Sequence, residues 1–245
     1  MQLGASEMRS APAEHGDAEP ETRATSADIG EILAAYGCRF RVRRGQRLPA
    51  RHDDVETIYL VRSGLVVLQS HLTEQRRLIL GICYPGEIIS SRFMAALPDF
   101  TVRAARAGEV TRLRQDVFDT AAARHGWLAL EFMRQMRVRA NRVEAHNVIV
   151  SRLTSEERVA SFLLEAGLML GKHLARGIDI ELPLPRNDMA DYLALNPDTL
   201  SRVLSRLRSE GLITRLGRGR AIVHDWAALE QRSPICAALQ SAYQR

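Results

Sequence analysis

Seven arginines and only four acidic residues fall between Arg186 and Arg220, and the polar side chains of the stretch recur at helical spacing. Asp198, Ser201, Arg202, Ser205, Arg206 and Arg208 share one side of a segment whose other side is apolar. That apolar side holds Leu200, Val203, Leu204 and Leu207 at i, i+3, i+4 and i+7. A locally basic face of this kind suits an anionic partner. The elements that must hold it can be read from its flanks. Asn187 or Asp188 can cap a first helix carrying Met189, Ala190, Tyr192 and Leu193. Ala194-Leu195-Asn196-Pro197 ends that helix, with Asn196 placed to cap a second one and Pro197 suited to its first turn. Gly211 stops the second helix. Leu212–Leu216 and Ala221–Val223 read as short strands joined through Gly217-Arg218-Gly219-Arg220. Two short helices about a tight turn, followed by a Gly-rich basic hairpin, form the layout of a winged helix-turn-helix. That motif sets one helix in the DNA major groove and the hairpin beside the backbone. An amphipathic hairpin with a merely solvated charged face would leave the wing unaccounted for.

Composition sets wider bounds. The 245 residues leave room for two domains, and 46% hydrophobic content supports real cores. The net charge of +5 and a pI near 9.5 agree with an anionic partner without requiring one. No apolar run approaches the roughly 18–20 residues of a membrane span. Residues 1–27, rich in Ala, Glu, Pro, Ser and Thr and lacking a hydrophobic region, read as a disordered tail rather than a signal peptide. Three scattered cysteines argue against a disulfide framework. The expectation is a cytoplasmic protein with no membrane partner.

Upstream the rhythm is different. Residues 28–37 look like one short amphipathic helix. Short β runs then follow at Arg39–Val42, Thr57–Val61, Leu65–Ser70, Arg77–Ile82, Thr101–Ala105 and Glu109–Leu113. Turns are expected at Arg44-Gly45-Gln46, Ser63-Gly64 and Pro85-Gly86-Glu87. Residues 28–125 therefore predict a small antiparallel barrel or roll. Residues 126–153 predict a long helix on which Met133, Met136, Ala140, Val143, Asn147 and Val150 recur at spacings of 3, 4, 3, 4 and 3. Arg134, Arg137, Arg139, Arg142 and Glu144 flank this heptad seam. The stripe either packs on the chain's own β domain or pairs with a second copy. A parallel homodimer is the favoured reading, with Asn147 fixing register, because two recognition helices one helical turn apart read a palindrome. Residues 154–230 hold the winged helix-turn-helix and 231–245 read as a C-terminal tail.

A β-roll, a long dimer helix and a winged helix-turn-helix, in that order, resemble the Crp/Fnr superfamily of bacterial transcription regulators. Leu195-Asn196-Pro197-Asp198-Thr199-Leu200-Ser201-Arg202 is similar to the family's recognition-helix core. Leu182–Leu193 is most similar to the FixK-like and Fnr-like branches, and Tyr59–Gly64 and Pro85-Gly86-Glu87 match family turns in the roll. The resemblance implies an α+β fold: an N-terminal cyclic-nucleotide-binding-like β-roll, a dimerisation helix and a C-terminal winged helix-turn-helix. It implies that Asp198, Ser201 and Arg202 contact bases, with arginine bidentate to guanine, an acid accepting from a base amino group and serine adaptable. Asp198 is one methylene shorter than the glutamate the family usually carries there. Ser201 implies a TTGAT…ATCAA-like site. Arg186, Thr199, Ser205, Arg206, Arg208, Arg215, Arg218 and Arg220 would meet phosphates. RNA polymerase is the implied downstream partner, met by roll-surface loops, and the implied regulation answers a metabolic, oxygen or nitrogen-oxide signal or is constitutive.

The family's familiar inputs are missing from the sequence. A cyclic-nucleotide site needs Gly-Glu for the ribose and, some ten residues later, Arg-Ser for the phosphate. This chain keeps Gly86-Glu87 but reads Leu97-Pro98-Asp99-Phe100-Thr101 further on, and neither Arg92 nor Arg103 sits at the family position. Cyclic AMP is therefore disfavoured, and Gly86-Glu87 is read as a tight turn. Cys38, Cys83 and Cys236 are too few for four thiolates on an iron–sulfur cluster. A haem through His71, Cys83, His125 or His146 remains open, as does a redox role for a cysteine. No cofactor or effector is identified. The competing classes are a cAMP- or haem-responsive member of the superfamily and a β-roll module acting through protein partners. An enzyme is disfavoured, since no HExxH, GxSxG, CxxC or phosphate loop occurs.

Overall fold

The computed structural model describes residues 26–73, 76–93, 99–216 and 219–243. Helix α1 (Ser26–Tyr36) leads into strands β1 (Cys38–Val42), β2 (Arg47–Leu48), β3 (Arg51–His52), β4 (Val55–Thr73), β5 (Arg76–Cys83), β6 (Ile88–Ser90) and β7 (Thr101–Arg114). They form one antiparallel sheet of order β1-β7-β4-β3, with β2 on β7 and with β5 and β6 on β4. Helices α2 (Gln115–Arg124), α3 (Gly126–Arg152) and α4 (Ser155–Leu170) follow. The C-terminal part comprises β8 (Gly171–Leu174), β9 (Gly177–Glu181), α5 (Arg186–Tyr192), α6 (Pro197–Ser209), β10 (Ile213–Leu216), β11 (Arg220–Val223), α7 (Trp226–Gln231) and α8 (Cys236–Tyr243). Its four strands run in the order β10-β11-β9-β8. The fold is the expected roll, long helix and winged helix-turn-helix.

Several local expectations need correction. Thr57–Val61 and Leu65–Ser70 belong to one strand, β4, and Thr101–Ala105 and Glu109–Leu113 to one strand, β7. Ser63-Gly64 is thus not a turn. The two strands stay paired from Thr57↔Arg114 to Gln69↔Thr101, slipping register around Ser63. Gly64 has φ +79, and a Cβ on Gly108 would strike the Ser63 carbonyl, so two glycines let the ladder bulge and continue. Arg43–Gln46 and Tyr84–Glu87 are the tight turns expected, with φ +84 at Gly45 and +90 at Gly86. The end of the chain is not a plain tail. Helix α8 lies within 231–245, and its Leu239, Ala242 and Tyr243 are buried against α3 and α4. Most of the segment read as a disordered tail lies outside the described residues. α1 starts inside it, at Ser26, two residues before the expected start at 28.

The roll interior is filled with apolar side chains, among them Val42, Tyr59, Val61, Val66, Leu68, Ile89, Val102 and Val110. The opposite side of β4 and β5 faces the C-terminal part. Leu65, Val67, Ile79, Ile82 and Tyr84 join Phe162, Leu163, Tyr192 and Leu193 in one continuous core. Burial on this scale, at about 25 cal/mol per Å² of apolar surface, fixes the helix-turn-helix on the roll.

Candidate nucleic-acid interface

The second helix of the motif starts as its sequence dictates. Asn196 Oδ1 accepts from Asp198 N at 2.8 Å and Pro197 occupies the first turn. Leu200, Val203, Leu204 and Leu207 are all buried. Glu210 is the C-cap, and Gly211 follows it at φ +73, the left-handed residue just past the helix. The first helix departs from expectation. Pro185, not Asn187 or Asp188, precedes its first residue, with no side-chain cap. Asp188 is instead buried and held from the roll.

Three arginines of the roll make that connection. Arg77 Nη2 lies 2.6 Å from Asp188 Oδ1, and its Nε donates to Asp191 Oδ2 at 2.9 Å. Arg103 Nη2 lies 2.8 Å from the other Asp188 oxygen, while its Nε donates to Gln69 at 2.8 Å. Arg106 Nη1 reaches Glu181 at 2.6 Å and also donates to the Leu182 carbonyl. With 8% of its side chain exposed, Asp188 is a nearly buried carboxylate with charge-assisted bonds to both oxygens. Sequence reasoning missed this latch. The one signal it left was the i, i+3 spacing of Asp188 and Asp191.

Below the latch lies a buried polar knot. Glu165 of α4 accepts from Tyr84 at 3.1 Å and from Tyr192 at 3.0 Å, and Tyr243 also bonds to it. Burial raises its carboxyl pKa against the opposing effect of these hydrogen bonds and of Arg142. Arg142 of α3 sits over the Tyr243 ring at 4.3 Å and pairs with Glu87 at 2.5 Å. His146 stacks on Tyr192 with ring centroids 4.1 Å apart, and burial lowers its pKa to about 4.

The candidate contact residues lie on an open surface. Asp198, Arg202, Ser205, Arg206 and Arg208 are exposed; Thr199 and Ser201 are partly so. Among the described residues, the side chains of Asp198, Arg202 and Arg208 have no hydrogen-bond or ion-pair partner. Ser201 donates to the Pro197 carbonyl at 2.7 Å and accepts from Arg186 at 3.0 Å. Arg206 pairs with Glu156 at 3.1 Å, and Arg220 pairs with Asp179. The backbone of Arg215 lies in β10. Arg218 lies outside the described residues, as does the Arg215 side chain. On α3 one side, with Leu128, Phe132 and Ile149, is buried. The other is open, with Met133 67% and Val143 44% exposed and Ala140 and Asn147 exposed beside them. Met136 and Val150 are half-buried, each packed against the chain's own core.

Residues at the positions expected for a cyclic nucleotide are otherwise engaged. Glu87 is engaged by Arg142, the interior is packed with apolar side chains, and Asp99, near the expected phosphate position, pairs with His71 at 3.0 Å. Leu97 and Pro98 lie outside the described residues. Among the described residues no three His, Cys, Asp or Glu side chains are grouped to hold a metal ion. Burial pushes the Cys83 thiol up to about 11, away from the thiolate a reactive cysteine needs, while Cys38 is exposed and Cys236 half-buried. No described helix is long and apolar enough to cross a membrane.

Known proteins share this arrangement. A Crp-like helix-turn-helix domain matches residues 157–232, and a cyclic nucleotide-binding domain matches residues 39–125. The nitrogen fixation regulation protein FixK of Azorhizobium caulinodans is 27% identical over 211 residues, 84% of this chain and 83% of its own. The anaerobic regulatory protein of Bacillus subtilis is 23% identical over 202 residues, 81% of this chain and 85% of its own. The solved structure of FixK2 from Bradyrhizobium japonicum superposes with a TM-score of 0.69 at 25% identity, covering 80% of this chain and 97% of that one.

Proposed function

Because the chain belongs to the Crp/Fnr family of DNA-binding transcription regulators, we propose that it acts as a homodimer reading a palindrome with one α6 helix in each half-site. The observation that carries this reading is the state of α6. Its polar face is exposed, and Asp198, Arg202 and Arg208 have no partner among the described residues, whereas its apolar face is buried. Asp198, Ser201 and Arg202, in its first two turns, contact base edges at a TTGAT…ATCAA-like site. Thr199, Ser205, Arg206, Arg208 and Arg186 contact phosphates from the same side, with Arg215, Arg218 and Arg220 contributing from the wing. The homodimer forms along the open side of α3, where Met133, Ala140, Val143 and Asn147 await a second copy. Transcriptional output passes from roll-surface loops to RNA polymerase, in the cytoplasm. Glu87 held by Arg142 and Asp99 in the expected phosphate region support a regulator that is not switched by cyclic AMP and works without a cofactor or with another small effector.

Anisotropy titrations against a TTGAT…ATCAA duplex, a single half-site and a scrambled duplex test the proposal. The expected order is palindrome tightest, half-site weaker and scrambled weakest, with all three falling as salt rises. Equal affinity for all three, or no binding at low salt, overturns it.

A further inference from the structure

Helices α3 and α4 are joined by two residues, Leu153 and Thr154, both in extended backbone. Helical geometry is broken at this joint. α3 carries the proposed dimer seam, and α4 opens the helix-turn-helix part. The angle between the two helices therefore decides where each α6 stands in a dimer.

Helix α8 spans that angle and packs on both helices. It is tied to the helix-turn-helix part at Ser233, just before it, and at Gln240. The Ser233 and Ser161 hydroxyls lie 2.8 Å apart in a buried contact, and Gln240 donates to Glu230 of α7 at 2.8 Å. Helix α7 is itself seated on α4, where a Cβ on Gly167 would strike the Trp226 ring. The last turn of α8 reaches α3. Tyr243, 6% exposed, lies under the Arg142 guanidinium at 4.3 Å. Its hydroxyl is hydrogen-bonded to Glu165 of α4 and to Tyr192 of α5. Arg142 in turn holds Glu87 of the roll at 2.5 Å. One aromatic side chain thus touches the dimer helix, the helix beyond the joint and the helix-turn-helix. The matched helix-turn-helix domain ends at residue 232, and α8 begins at Cys236, so this brace is an addition to the shared domain.

We propose that Tyr243 is a positioning residue for DNA reading: through Arg142 and Glu165 it fixes the α3–α4 angle, so that the two α6 helices of a dimer face half-sites one helical turn apart. The proposal rests on the dimeric DNA-binding reading and assigns to α8 the orientation that reading requires. A palindrome outbinds a half-site because the second α6 is held at high effective concentration. Loosening the joint spreads that helix over many orientations and lowers the effective concentration. The side chains that meet DNA are left untouched.

The test titrates the full chain and its Tyr243→Leu and Tyr243→Phe variants against the palindrome and against a single half-site. Leucine keeps the site apolar but removes the ring under Arg142 and the hydroxyl at Glu165, whereas phenylalanine keeps the ring. The expected result for Tyr243→Leu is a palindrome affinity lowered about tenfold with half-site affinity unchanged. Tyr243→Phe should bind the palindrome to within about threefold of the wild type. Sedimentation should show both variants as the wild-type dimer. An unchanged ratio of the two affinities, equal losses on both duplexes, or a loss accounted for by dissociated monomer overturns the proposal. Where Tyr243→Leu melts below the assay temperature, Gln240→Ala is read instead. It cuts the other tie of α8 and should lower the ratio about threefold, and an unchanged ratio there overturns the proposal too. A wild type that binds palindrome and half-site equally would instead break the dimeric DNA-binding reading itself.

Discussion

Helices α5 and α6 stand four residues apart and have opposite fates. The acids of α5 are taken up by the roll: Asp188 between Arg77 and Arg103, Asp191 by Arg77. Tyr192 on the same helix is fixed by Glu165 and by the His146 ring. On α6 the apolar side is buried while the arginines point outward. The difference separates two jobs that one sequence motif contains. α5 is a pedestal whose acids are spent inside the molecule; α6 keeps Asp198, Arg202 and Arg208 for a partner. Without the latch, two carboxylates would stand beside the basic face and repel the phosphates it is suited to meet.

Breaking the pedestal should have the largest effect. Arg103→Ala leaves Asp188 short of one partner in a nearly buried site, and should cost about 3 kcal/mol in urea unfolding. Replacing both Arg103 and Asp188 by leucine should recover most of that loss. Arg202→Ala on the open face should change stability by less than about 0.5 kcal/mol. Similar costs for the two single variants would erase the distinction.

Acid should loosen the pedestal side as well. The His146 pKa is lowered from 6.5 to about 4 in the fold, so the unfolded chain binds the proton first. Stability from this group is full above pH 6.5, falls as pH drops through the window, and is gone below about 4. By pH 5 the loss should be about 2 kcal/mol. Glu165, whose pKa is raised by burial, works in the opposite direction, so the informative quantity is the difference between wild type and His146→Asn. That difference should shrink as pH falls from 7 to 5. A pH-independent difference would show that His146 is not buried in neutral form.

Effects on the open helix should be smaller. Asn196→Ala removes the N-cap of α6 and should cost about 1 kcal/mol of stability. Arg208→Ala should leave stability alone, weaken binding to cognate and scrambled duplex alike, and reduce the salt slope by about 0.9 for each phosphate no longer neutralised. A sequence-dependent loss would move Arg208 from the backbone to the bases.

The legibility of these two helices in the sequence follows the range of their interactions. The stripe Leu200, Val203, Leu204 and Leu207 and the cap Asn196-Pro197 are local patterns, and the sequence spells them out. Asp188 could pass for a helix cap because its partners, Arg77 and Arg103, lie 111 and 85 residues away. The same range effect split β4 and β7 into four strands, since the bulge at Gly64 depends on Gly108 meeting it from the facing strand. It also hid α8, whose Tyr243 finds Glu165 and Arg142 only in the folded chain. Strands β8 and β9, four and five residues long, carry too little periodicity to stand out.

If the open face of α6 reads sequence, Arg202 is the side chain whose loss should show it. The direct measurement is a pair of titrations of Arg202→Ala against the TTGAT…ATCAA duplex and a scrambled duplex at fixed salt. The expected result is a loss on the order of 1–3 kcal/mol for the palindrome alone, with affinity for the scrambled duplex nearly unchanged. Equal losses on both duplexes would contradict sequence reading by this face.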